Sequence, residues 1–78
     1  MGYVKRKIFP NLMAEMTRTG ISQEVLAEKI KISRVSLSYK MNGRSEFTLR
    51  EMLAICEAIR YDEERLGYLF KKNENEGG

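Results

Sequence analysis

Residues 22–44 read S-Q-E-V-L-A-E-K-I-K-I-S-R-V-S-L-S-Y-K-M-N-G-R, from Ser22 to Arg44. A side-chain oxygen at Ser22 caps the start of one helix, whose inward side is Val25 or Leu26, with Ala27 and Ile30. Ser33 caps a second helix, which contains Leu37 and Met41 and stops at Asn42-Gly43. Only Lys31 and Ile32 separate the first helix from the second cap, so the two helices meet at a tight turn.

Outward from this pair the apolar residues keep helical spacing. Upstream, Phe9, Leu12, Met13 and Met16 mark a first helix, with Pro10 in its opening turn and Gly20 as its left-handed stop. Downstream, Thr48 and Glu51 have the spacing of a capping box, and Phe47 and Met52 stand at the flanking staple positions. That helix is expected to turn Leu49, Met52, Leu53, Cys56 and Ile59 inward. A fifth helix is expected from Asp62, with Tyr61 and Leu66 as a second staple and Leu66, Leu69 and Phe70 facing the core. The expected fold is all-α: a flexible basic arm over residues 1–7, a five-helix domain over residues 8–72 and a disordered tail over residues 73–78.

Composition narrows the chemistry. A chain of 78 residues supports one small core, burying about 60% of its unfolded surface. With a single cysteine, Cys56, and no histidine, neither a disulfide framework nor Cys/His zinc spacing exists. Cys56 falls on the expected inward stripe with no histidine to activate it, so it reads as a structural thiol. Met1 to Lys7 lacks the apolar stretch of a signal peptide and the apolar runs are too short to span a membrane, so a cytoplasmic protein is expected. There is no Gly-rich phosphate loop, and Asp62-Glu63-Glu64 opens a helix, where the dipole favours negative charge without any catalytic role. No enzyme activity, cofactor or small-molecule ligand is implied. The charge is asymmetric: residues 1–45 hold nine Lys/Arg against three Glu, a net +6, whereas residues 46–78 hold five Lys/Arg against eight Asp/Glu, a net −3. The basic half suits a polyanion.

The order of these features resembles the helix-turn-helix of the phage Cro/C1 repressor family, also called XRE-like. The resemblance rests on Ser22-Gln23 opening the first motif helix, Leu26-Ala27 packing within it, Ile32 in the turn, Ser33 as cap, Leu37 buried and Asn42-Gly43 closing the second helix. The segments Thr48 to Ile59 and Asp62 to Phe70 are similar to that family's fourth and fifth helices, so the likeness covers residues 8–70. It implies a compact lambda-repressor-like domain that binds double-stranded DNA. Two positions depart from the pattern. Lys31 stands where the family usually has glycine, so it must adopt a left-handed backbone at a cost of roughly 1 kcal/mol. Met16 and Met41 stand where many relatives have a buried Arg–Glu pair, and an apolar contact in place of such a pair is often neutral or stabilising.

With Leu37 and Met41 turned inward at i and i+4, Arg34, Val35, Ser38 and Tyr39 point away from the core. In a major groove Arg34 can donate two bonds to guanine, Val35 can pack on a thymine methyl, and Ser38 and Tyr39 can donate or accept. Val35 packing against the second helix and Tyr39 lying over the core rim are the structural alternatives. The resemblance further implies phosphate contacts at Gln23, Ser33 and the loop Asn42, Gly43 and Arg44, and Lys40 adds charge nearby. One such helix reads few base pairs, so a repressor-like homodimer on a palindromic operator is expected, with Tyr61, Arg65 and Tyr68 of the last helix as the candidate contact. Because the chain stops after that helix, the dimer contacts are expected from the domain itself. The competing reading is an antitoxin-like module that uses the acidic half from Glu46 onward to bind another protein.

Overall fold

Hydroxyl side chains set the starts of three helices. In the computed structural model, which describes residues 8–73, Ser22 Oγ accepts from Val25 N at 3.2 Å and Ser33 Oγ from Ser36 N at 3.0 Å. Thr48 and Glu51 close the full capping box, with Glu51 N donating to Thr48 Oγ1 at 3.1 Å and Thr48 N to Glu51 Oε1 at 2.9 Å. Each such cap contributes about 1 kcal/mol. The resulting elements are α1 (Pro10–Thr19), α2 (Gln23–Ile30), α3 (Arg34–Met41), α4 (Leu49–Ala58), a 3-10 turn (Glu63–Arg65) and a one-turn α5 (Leu66–Leu69). There is no strand among the described residues.

The first four helices end the same way. A residue with left-handed backbone follows, namely Gly20 (φ 73°), Lys31 (φ 65°), Gly43 (φ 82°) and Arg60 (φ 58°). The next N–H then reaches back to a carbonyl in the last turn: Ile21 to Met16, Ile32 to Ala27, Arg44 to Tyr39 and Tyr61 to Cys56, at 2.8 to 3.1 Å. This closure satisfies carbonyls that the helix end would leave bare, and it usually presses an apolar residue back onto the helix. Ile21, Ile32 and Tyr61 do so, each packing half-buried on the core. Lys31 is thus left-handed as the resemblance required; Arg60 is a second non-glycine residue in that region.

The core is Phe9, Leu12, Met16, Leu26, Ala27, Leu37, Met41, Ile55, Cys56, Ile59 and Leu69. Phe9 meets Phe47 and Phe70 edge-on, with the three ring centres 5.2 to 6.0 Å apart. This cluster joins the start of α1, the α3–α4 loop and the end of the domain. Burial pushes the Cys56 thiol above its ordinary value, and Glu63 and Asp62 add to the shift, so the thiol stays protonated.

Several expectations need correction. On α4, Leu49 and Leu53 face solvent at 60% and 38% exposure, while Ile55, absent from the expected stripe, is fully buried. Ile55 and Ile59 lie roughly a quarter-turn or more round the helix from Leu49 and Leu53 at 100° per residue, and the buried Cys56 falls between the two lines. On α2 Leu26 is the inward residue and Val25 is exposed. The fifth helix is not continuous from Asp62. Asp62 Oδ1 accepts from Glu64 N at 3.0 Å, which tightens the chain into a 3-10 turn before α5 begins. Asn73, expected in the tail, is tied to the domain by its N–H, which donates to Ile8 O at 2.8 Å. The arm at 1–7 and residues 74–78 lie outside the described residues.

Because a left-handed non-glycine residue costs roughly 1 kcal/mol, Lys31→Gly and Arg60→Gly should each raise stability by about that amount. Urea denaturation measures this directly. A lowered midpoint for either variant means that the side chain contributes more to the fold than its backbone strain removes.

Candidate nucleic-acid interface

The turn closed at Lys31 places α3 with Leu37 and Met41 inside, at 0% and 5% exposure, and Arg34, Val35 and Tyr39 outside. Val35 is 62% exposed, so it does not pack away against α2. Ser38 is half-buried and accepts a 3.4 Å bond from Asn42 Nδ2. The first turn of α3 contains no acidic residue. Arg34 therefore sits at the positive end of the helix dipole without a neutralising neighbour, a position that favours an external anion.

The other basic residues divide by whether they are already paired. Among the described residues of the basic half, Arg18 is paired with Glu15 at 2.7 Å and Lys40 with Glu51 at 3.2 Å, whereas Lys29, Lys31, Arg34 and Arg44 have no acidic partner. Lys40 is held further by donating to Glu46 O at 3.0 Å, and only 15% of its side chain is exposed. It ties α3 to the capping box of α4 instead of standing free toward solvent. Burial pushes the Glu51 carboxyl up, but the hydrogen bond from Thr48 N and the Lys40 ammonium outweigh it and leave the group below its ordinary value of 4.5.

Arg44 occupies the position that Ile21, Ile32 and Tyr61 hold after the other helices. Here the back-packing contact is cation–π: its guanidinium lies 5.1 Å from the centre of the Tyr39 ring. Tyr39, 46% exposed, and Arg44 are thus one unit at the end of α3. The sequence signal for this was the residue after Gly43, once that glycine is read as left-handed. Gly43 stacks on Ile8, whose nearest carbon would lie 3.7 Å from an added Cβ, so its positive φ and not crowding is what requires glycine. Gln23, the first residue of α2, lines an open groove of about 330 Å³ with Met13, Met16 and Met41.

On the far side of the domain Arg65 lies over both Tyr61 and Tyr68, 5.7 and 5.1 Å from the ring centres. Tyr61 is half-buried on the core and Tyr68 is 54% exposed. Among the described residues no cluster of acidic, Cys or His side chains could hold a metal ion, and no helix is long and apolar enough to cross a membrane.

A helix-turn-helix family profile, HTH_3, matches residues 12–66, from within α1 through the 3-10 turn to the first residue of α5. The chain belongs to the Cro/C1-type helix-turn-helix family. Among solved structures this helix-turn-helix domain is similar to the restriction-modification controller protein C.AhdI from Aeromonas hydrophila, with a TM-score of 0.67 and 25% identity over 77% of this chain and 91% of that one. Among curated proteins none matches it significantly. The family makes the protein a DNA-binding transcription regulator, with α2 and α3 as its helix-turn-helix.

The Lys40–Glu51 link should show in acid. Glu51→Gln keeps an acceptor for Thr48 N but removes the charge, so wild type should exceed it in stability by under about 1 kcal/mol at neutral pH. A carboxyl whose folded value is lowered stabilises above its unfolded value and loses that contribution as pH falls through the folded one. The gap should therefore hold above 4.5 and close below it. Thermal melts across pH test this, and a gap that persists in strong acid would remove the charge from the explanation.

Proposed function

We propose that the protein recognises operator DNA in sequence-specific fashion as a homodimer, inserting α3 in the major groove of each half-site of a palindrome and acting as a repressor in the cytoplasm. The observation that carries this is the exposed first turn of α3, where Arg34 and Val35 stand side by side without an acidic neighbour or an intramolecular packing partner for Val35. A cation left free of intramolecular pairing beside an exposed β-branched residue suits a guanine edge and a thymine methyl. Arg34 and Val35 are the principal readers in this proposal. Ser38 and Tyr39 read from further along α3, with the Tyr39 hydroxyl left free because Arg44 covers the ring face.

Gln23, Ser33, Asn42, Gly43 and Arg44 hold phosphates. The starts of α2 and α3 supply backbone N–H groups beside Gln23 and Ser33, and the left-handed Gly43 supports the loop that carries Asn42 and Arg44. Lys40, tied to Glu51, acts by holding α3 against α4 and is withdrawn from the phosphate set. The structurally similar C.AhdI is a restriction-modification controller protein, and a comparable gene-control role fits this chain's matching architecture.

Arg34→Ala should cost about 1 to 3 kcal/mol on the preferred site and relax preference at one base position, with the fold unchanged. Arg44→Ala should weaken binding to all sequences alike and reduce the salt slope by about one unit. Titrating each variant against specific and random duplexes at several salt concentrations distinguishes the roles. Equal losses from Arg34→Ala on both duplexes would make Arg34 a phosphate contact and leave the reader of bases unassigned.

A further inference from the structure

The outward face of α4 serves neither the core nor the α2–α3 surface. Leu49 and Leu53 are four residues apart and exposed at 60% and 38%. Beside them Arg50, Leu53, Ala54 and Glu57 line an open groove of about 710 Å³ that runs on to Tyr61 and Glu63. Neither Arg50 nor Glu57 is in an ion pair among the described residues.

Both charges are also the wrong way round for the helix that carries them. Arg50 lies in the first turn of α4, at the positive end of the dipole, and Glu57 lies in the last turn, at the negative end. In a lone domain each is opposed by its own helix. Against a second α4 running antiparallel, each meets the opposite helix end and the opposite charge.

The residue spacing fits that arrangement in one register. Arg50 and Glu57 are seven residues apart, about 10.5 Å along the axis. A two-fold axis passing midway between Leu53 and Ala54 brings Arg50 of one copy level with Glu57 of the other, and Leu53 level with Ala54. Ionic pairs then flank the axis on both sides, a large side chain faces a small one at the centre, and Leu49 extends the apolar strip. A surface that complements itself in charge, size and dipole is what an isologous contact requires.

We propose that the outward face of α4 is a self-association surface on which two copies pack α4 antiparallel, Arg50 of each against Glu57 of the other. The use of this dimer on two half-sites rests on the DNA-binding reading above, but its existence is measured without DNA. It replaces Arg65 and Tyr68 as the contact, since Arg65 is already stacked on two rings, and leaves Tyr61 at the groove's end.

The test is sedimentation equilibrium of the full chain without DNA. Wild type should self-associate, and Arg50→Glu and Glu57→Arg should each weaken association by at least about tenfold, because like charges meet twice across the two-fold axis. Mixing the two single variants should restore association as a heterodimer, and the double swap should restore it in one chain. Each swap also puts the favoured charge at its helix end, so thermal melts at low concentration should show the monomers at least as stable as wild type, which separates lost association from lost folding. The proposal is overturned by a wild type that stays monomeric at several hundred micromolar, by single variants that associate like wild type, or by a mixture that does not recover. A chain that dimerises through α4 yet ignores DNA would keep this surface and lose the operator reading; the converse result would do the opposite.

Discussion

The left-handed backbone at Lys31 sets how the chain leaves α2 and enters α3, and most of the functional geometry depends on it. The turn lets Ile32 N close on Ala27 O and sets Ile32 against the core. With that closure made, Leu26, Ala27 and Leu37 are buried together, and the remaining faces of α3 have no choice but solvent. The strain of a lysine in glycine's region is small beside the burial it permits: three side chains of this size contribute several kcal/mol. Lys40 and Glu51 then fix the other end of α3 to α4, so the helix is held at both ends while its outer side stays open.

How much of this was legible in the sequence depended on whether the deciding interaction was local. The caps at Ser22, Ser33 and Thr48, the stops at Gly20 and Gly43, and the buried pair Leu37 and Met41 are fixed by residues within a turn of one another, and the structure has them as read. The inward face of α4 was misjudged because Leu49, Leu53 and Cys56 can form an apolar line as readily as Ile55, Cys56 and Ile59. Only packing on α2 chooses between those lines. The break at Asp62 was invisible to periodicity, since a short aspartate–backbone bond, not an apolar pattern, tightens the chain there.

The candidate site followed the same division. Exposure of Arg34 and Val35 came straight from the helical period. Capture of Lys40 by Glu51 did not, because it joins residues on different helices, and the stacking of Arg44 on Tyr39 appeared only once the helix closures were compared. The misread leucines and the two charges opposed by their own helix belong to one feature: an outward face of α4 that the core does not use. As proposed, recognition and self-association use separate helices, α3 and α4, which the Lys40–Glu51 contact joins.

The central claim, that α3 reads DNA sequence from a two-fold assembly, is tested most directly by selecting bound fragments from random duplex DNA with the full chain. The account predicts enrichment of inverted repeats whose half-sites are separated by about one helical turn, roughly 34 Å between centres. Recovery of fragments with no shared sequence, or of single half-sites without symmetry, would contradict it.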